Sequence, residues 1–443
     1  MADISKKVTM GYLLKFALPT IITMLLFGTL GVVDSVFVSN ILGEASLAAV
    51  GIAWPFVGFA MSFGFMIGIG GNALVGKKLG ENKKVEARQN FTLIVIVAFA
   101  VSALLASIGL IFPDFILNLL GADDMIRPMT MEYFRPFLFF MPSIVLSVVF
   151  QQFLVTEGKA HIVTITMIVG AAVNITLNYL VLYVWGWGLL GTAIVSGIVY
   201  TMPAVVGLVY FIFMRKGSLY FVKPKWDIRA LGRSSINGAS EMVTMLASSI
   251  TMTIMNNILM RNHGFESVAA AGVIFAGMNI LAGIFIGYSS GVAPIFSYNY
   301  GKNHIGNIKR IYRFSLKILG GIAVATIALG WLTINPIIAI FGIEQGTDIH
   351  EMAQLGFRIV SAGFIFMAYN SFASIMFTAL NNAVVSSLLV LLRTLVFVVI
   401  AFLTLPNIFG LNGVWMATPA AEILAIFTTI FFFKKMRKRY RYA

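Results

Sequence analysis

In the stretch "GVVDSVFVSN", residues 31–40, an aspartate interrupts a run that is otherwise largely apolar from about Tyr12 to Val38. Leaving Asp34 ionised in hydrocarbon would be costly, so it must face a bundle interior or water. Intramembrane acids mark ion or substrate pathways by default, the competing reading being a structural carboxylate that caps a helix break. Asn174 and Asn178, in "GAAVNITLNY", are four residues apart and share one face of a helix. Each amide both donates and accepts, which suits a carboxylate that changes protonation. Ser196, in "GLLGTAIVS", adds a hydroxyl. Oxygens from Asp34, Asn174, Asn178 and Ser196 could equally ligate a small hard cation such as sodium.

Three further charges fall inside apolar segments: Glu241, Arg393 and Glu422. Arg393 is the only basic residue deep in such a segment, and buried opposite charges find each other. Arg393 and Glu422 are therefore expected as a structural pair, leaving Glu241 as the acid that would attract a cationic molecule. Pro19 lies in the same apolar segment as Asp34; it lacks an N–H and loosens a helix, giving either a static kink or one that bends.

Other chemistries are excluded. Without cysteine there is no disulfide, thiolate catalysis or cysteine metal site. His161, His263, His304 and His350 fall in loops or at segment ends with no metal-ligand spacing. The glycine-rich string near Gly70 lacks the lysine and hydroxyl of a P-loop. No constellation organises covalent chemistry, so an enzyme and a resident cofactor are not expected.

The elements that must position these residues follow from composition. Of 443 residues 59% are hydrophobic and 11% charged, far from the balance of soluble domains. Apolar stretches long enough to span a bilayer recur throughout, predicting an all-α integral membrane protein. Twelve spans are expected: 12–40, 46–76, 90–118, 131–156, 162–184, 189–214, 234–260, 267–298, 312–341, 352–379, 383–405 and 412–433. The first is read as a retained span rather than a signal peptide, since no small-residue cleavage site follows it. The termini and even-numbered connections hold 24 of the 31 lysines and arginines. The positive-inside rule then puts both termini in the cytoplasm. The net charge of +14 flanks spans and does not point to nucleic acid. The basic tail "KKMRKRYRYA" is read as a stop-transfer flank, with an anionic-lipid site as the alternative.

The chain also repeats itself. "GEASLAAVGI" (43–52) resembles "GFESVAAAGV" (264–273) at an offset of 221 residues, and Gly70, Gly80 and Asn82 match Gly291, Gly301 and Asn303 at that offset. "GLLGTAIVS" (188–196) resembles "GLNGVWMAT" (410–418) at an offset of 222. Two six-span lobes, 1–214 and 234–443, are thus expected, joined by a cytoplasmic linker at 215–233. An even number of spans per lobe makes the repeat parallel, and two such bundles enclose a central cavity that rocking exposes to alternate sides. Methionines 242, 245, 252, 255 and 260 on the seventh span suit a cavity accepting many shapes, or ordinary packing.

In order and spacing, these motifs resemble the multidrug and toxic compound extrusion (MATE) family, and within it the MepA-like bacterial branch. The resemblance runs through "ALPTIITMLLFGTLGVVDSVFVSNILGEASLAAVGIAWP", "IGIGGNALVGKKLGENKKVEA", "EGKAHIVTITMIVGAAVNITLNY" and "GLNGVWMATPAAE". It implies a V-shaped antiporter in the bacterial cytoplasmic membrane that exports organic, often cationic, drugs against inward protons or sodium. The positions of Asp34, Asn174, Asn178 and Ser196 match the family's N-lobe cation site, although many members carry a second acid where this chain has Asn178. Pro19 matches a proline on the family's first helix. Glu241 resembles the C-lobe acid of the NorM-like branch, which helps bind cation or substrate, and Asn370 stands near where that branch has an aspartate, so the resemblance implies a substrate or C-lobe cation site at these two. A flippase for a lipid or lipid-linked sugar is the alternative, but its cavity should carry several basic residues for phosphate. Nothing demands more than a monomer.

Overall fold

The computed structural model describes residues 8–157, 159–214, 217–380 and 382–442, and among them every regular element is helical. In chain order these are α1 (Met10–Leu42), α2 (Glu44–Gly80), α3 (Lys84–Ile111), α4 (Pro113–Leu120), α5 (Arg127–Thr156), α6 (Ala160–Tyr179) and α7 (Gly188–Phe213). They continue as α8 (Ile228–Gly301), α9 (Ile305–Ile340), α10 (Asp348–Ser361), α11 (Phe364–Ala379), α12 (Ala383–Leu391), α13 (Phe397–Phe409) and α14 (Leu411–Tyr440). Single π-helical turns, Leu180–Val184 and Leu392–Val396, follow α6 and join α12 to α13.

Among the described residues, nine helices are long and apolar enough to cross a membrane, and a tenth span is the pair α10–α11, bent by 50°. One of the nine, α8, runs over 74 residues but leaves helical geometry at Gly264 (φ 76°, ψ −178°), so it holds two of the expected spans. The first expected span is α1, with described apolar parts Met10–Ile22 and Val32–Leu42. The twelve-span layout read from the sequence follows.

Boundaries differ where hydropathy is a poor guide. The third span, expected as 90–118, breaks at Phe112, because Pro113 lacks an N–H and opens α4 instead. The helices α9 and α14 start earlier or run later than their apolar cores, through basic turns that stay helical outside hydrocarbon. The start of α8 at Ile228 lies inside the segment expected as linker.

The repeat is visible in the backbone. Left-handed residues recur at the sequence offset: Gly43 with Gly264, Asn82 with Asn303, Gly121 with Gly342, and Gly188 with Gly410. Asn82 and Asn303 (φ 59° and 55°) end α2 and α8 alike. The next residue's N–H reaches back to Lys78 O in one case and Asn299 O in the other, 2.9 Å each. This is a Schellman-type helix end, with asparagine tolerating the left-handed conformation.

Packing divides the chain into two compact units, one of residues Phe37–Arg261, the other joining the chain up to Val36 with Asn262–Ala443. These cut across the sequence lobes 1–214 and 234–443. Close glycine contacts supply the cause within each unit. A Cβ at Gly287 of α8 would lie 2.6 Å from Cα of Ile21 in α1, so the two backbones meet at van der Waals distance. In the other unit, a Cβ at Gly238 would collide with the Met66 backbone in α2. Small residues permit this approach between membrane helices, whose association rests on packing.

In the Phe37–Arg261 unit, the segment leading to α8 is clamped down. Glu157 accepts from the N–H groups of Ser218 (3.0 Å) and Leu219 (2.8 Å), and Thr92 Oγ1 accepts from Val222 N–H. Arg88 donates to Ser218 O at 2.9 Å and lies over the Tyr220 ring, 3.9 Å from its centroid. Leu219 is fully buried in a core with Phe91, Phe150, Phe153 and Phe211.

Candidate functional site

In the Phe37–Arg261 unit, α6 packs on α7. Asn174 and Asn178, one turn apart on α6, are both buried, and Asn178 Nδ2 donates to Asn174 Oδ1 at 3.3 Å. Immediately beyond, α6 passes into the π-helical turn Leu180–Val184. Such single π turns inside helices recur at functional sites, because the extra residue re-aims the following side chains. Ser196 on α7 is fully buried. Asn174, Asn178 and Ser196 therefore sit on paired helices of one unit, as neutral oxygen-bearing groups of the kind a proton donor or hard cation uses. Asp34 belongs to the other unit, half-buried about two turns before the end of α1. The helix runs unbroken past Pro19.

A second polar cluster lies within the unit that holds α9–α14. Glu422 on α14 is 5% exposed, with Arg393 Nε 3.7 Å from its Oε1. Its Oε2 accepts from Asn370 Nδ2 at 2.7 Å, and the same amide nitrogen donates to the Glu422 carbonyl at 3.0 Å. Thr429 Oγ1 donates to Asn370 Oδ1 (2.8 Å), and Arg393 donates to Ser371 Oγ (2.6 Å). The structure thus brings Asn370 together with Arg393 and Glu422, two residues the sequence linked only to each other. Arg393, half-buried, sits in the π-helical turn Leu392–Val396, so in each unit a polar cluster includes or adjoins such a turn. Ser371 and Thr429 escape a reading of the sequence. The available signals are the adjacency of Ser371 to Asn370 and the seven-residue spacing of Thr429 from Glu422, two turns along one face.

The repeat counterpart of Glu422, Tyr200, carries a ring where the other half carries an acid, and it packs edge-on against Trp54 with centroids 6.1 Å apart. The side chain of Glu241, on α8, lies outside the described residues. Of the methionines on that part of α8, Met255 and Met260 are buried in packing, while Met242, Met245 and Met252 are half-buried. Among the described residues no group of three or more His, Asp or Glu side chains is placed to hold a metal ion.

Comparison with known proteins adds an independent line. The MatE family model matches residues 19–180 and 241–403. Multidrug export protein MepA of Staphylococcus haemolyticus (strain JCSC1435) is 20% identical over 435 residues, covering 96% of this chain and 94% of that protein. Among solved structures, an inward-facing multidrug resistance MATE family transporter of the MOP superfamily superposes with a TM-score of 0.84 at 21% identity, over 95% of this chain and 98% of that one. The MATE multidrug transporter DinF-BH gives a TM-score of 0.76 at 24% identity, over 99% of each chain.

Proposed function

The chain belongs to the MatE family and is a multi-pass membrane transporter of the multidrug efflux type, and on that premise we propose that it is a secondary antiporter. It exports chemically diverse organic cations in exchange for protons or sodium entering the cell. The two repeat lobes, 1–214 and 234–443, alternate access to a shared cavity, with both termini in the cytoplasm. Asp34, Asn174, Asn178 and Ser196 carry the coupling cation, and Glu241, with Asn370, serves the cationic substrate or a C-lobe cation. Pro19 lets α1 adjust as the acid changes charge. The transporter acts as a monomer in the bacterial cytoplasmic membrane.

One observation carries the coupling role: two buried, mutually hydrogen-bonded amides beside a π-helical turn, in a chain whose first span holds an acid. Coupling then requires that loading the cation change the relative free energy of the two access states, so that drug and ion bind them with different affinity. The engagement of Arg393 by Glu422 speaks against a lipid flippase, since it occupies the one deep cation that would grip a phosphate. The test is dye efflux from proteoliposomes under an imposed proton or sodium gradient, one at a time. The antiport reading expects efflux under at least one gradient and none when both are collapsed; efflux indifferent to both gradients would overturn it. Glu241→Gln is expected to weaken export of cationic dyes more than neutral ones, and equal loss for both would remove Glu241 from substrate recognition.

A further inference from the structure

Where α14 ends, in the unit that holds α9–α14, helices α9, α11 and α14 line an open cleft of about 510 Å³. That volume is in the range of pockets that hold small molecules, roughly 300–1,000 Å³. Its wall is apolar and aromatic, with Tyr312, Leu316, Ile430 and Phe433 among its lining. Lys434 and Arg437, three residues apart on one face of α14, stand at this wall as exposed cations. Neither forms an ion pair among the described residues. No acid is near in sequence: residues 299–319 and 430–442, which meet where Tyr312 packs on Phe433 and Tyr442, contain basic residues and not one Asp or Glu.

The end of the chain holds this wall in place. Arg441 adopts the left-handed conformation (φ 52°), turning the chain back, and Tyr442 is fully buried with its hydroxyl donating to Phe433 O at 2.7 Å. Burial pushes the Tyr442 phenol above its ordinary range, so it remains a neutral donor. A cleft with an apolar wall and two unpaired cations, at the end of a membrane-spanning helix, matches an amphiphile with an anionic head and a hydrocarbon tail.

We propose that this cleft is a specific binding site for an anionic phospholipid of the adjacent leaflet, with the phosphate between Lys434 and Arg437 and an acyl chain along Leu316 and Ile430. The cleft adjoins the Glu422 cluster, since Thr429 lines it and donates to Asn370 Oδ1; the lipid proposal uses none of the residues assigned to cation coupling and does not rest on the exporter reading. It differs from diffuse attraction of the basic tail because it uses only the two cations that line the cleft. Lys435 serves as the contrast: its ammonium lies 5.5 Å from the Phe431 ring on another part of α14, and neither it nor Lys438 lines the cleft.

Native mass spectrometry of the full-length protein, with phosphatidylglycerol and phosphatidylcholine of matched chains as probes, tests the site. The wild type is expected to retain phosphatidylglycerol selectively, and Lys434→Ala/Arg437→Ala to reduce that selectivity by about 30-fold, equivalent to roughly 1 kcal/mol for each charge near a membrane surface. Lys435→Ala/Lys438→Ala is expected to leave it nearly unchanged. Ile430→Trp, which fills the cleft, should lower retention of the anionic lipid with the basic residues intact. Equal losses from the two double variants would reduce the site to diffuse electrostatics and overturn the proposal. So would a wild type without headgroup preference, or an Ile430→Trp protein that retains lipid as the wild type does.

Discussion

The buried carboxylate Glu422 is held by two different kinds of partner, a guanidinium on one oxygen and an amide on the other. Removing its charge leaves the half-buried Arg393 without its counter-charge, and breaking a fully buried pair from one side costs roughly 3–5 kcal/mol, which is the upper bound here. Replacing both members by apolar groups of similar size is far milder, because no orphaned charge remains. Glu422→Gln is therefore expected to lower the thermal midpoint in detergent clearly more than the double variant Arg393→Met/Glu422→Leu. A double variant as unstable as the single one would mean that the network, not the charge, dominates. The pairing of Arg393 with Glu422 was legible in the sequence, since two lone opposite charges in hydrocarbon have few alternatives. The inclusion of Asn370, Ser371 and Thr429 was not, because it depends on how α11 and α14 face each other, which no local spacing encodes.

At the level of elements, α8 packs on α1 through Gly283, Gly287 and Gly291, and Gly287 makes the tightest approach. Gly287→Ala would place a methyl group 2.6 Å from the Ile21 backbone, and overpacking of this kind costs about 1–3 kcal/mol. Gly321 on α9 has nothing within 4 Å of the corresponding position, so Gly321→Ala should be neutral or slightly stabilising, since alanine is the better helix former. Thermal unfolding of the two variants side by side checks the contrast, and equal melting points would contradict it. The clamp on the segment after α7 gives a second test. Truncating the fully buried Leu219 to alanine should cost about 2–5 kcal/mol and raise the rate of limited proteolysis between 217 and 227. Unchanged cleavage would mean that the hydrogen bonds to Glu157 suffice alone. Helix existence and number were readable because apolar length is a property of the chain itself. The breaks at Phe112 and Gly264 had visible causes in proline and glycine, whereas the two π-helical turns left no sequence mark. Nor did the docking of 217–222, which depends on aromatic residues contributed by α3, α5 and α7.

For the molecule as a whole, the repeat and the packing describe two different divisions of one chain. The offset of about 221 residues was readable as "GEASLAAVGI" against "GFESVAAAGV", and the left-handed positions Gly43 and Gly264 now give it a backbone counterpart. The grouping of the chain up to Val36 with Asn262–Ala443 was hidden, since hydropathy reports where spans are and says nothing of which spans touch. A transporter built this way needs a group whose occupancy biases one access state over the other, and a ligand with equal affinity for both shifts nothing. In the antiport reading that task falls to Asp34 with the amides of Asn174 and Asn178. Efflux of a cationic dye from proteoliposomes holding Asp34→Asn, driven by whichever gradient powers the wild type, tests it most directly. The variant is expected to insert and fold but no longer to convert the gradient into export, whereas gradient-driven export at the wild-type rate would contradict the coupling role of Asp34.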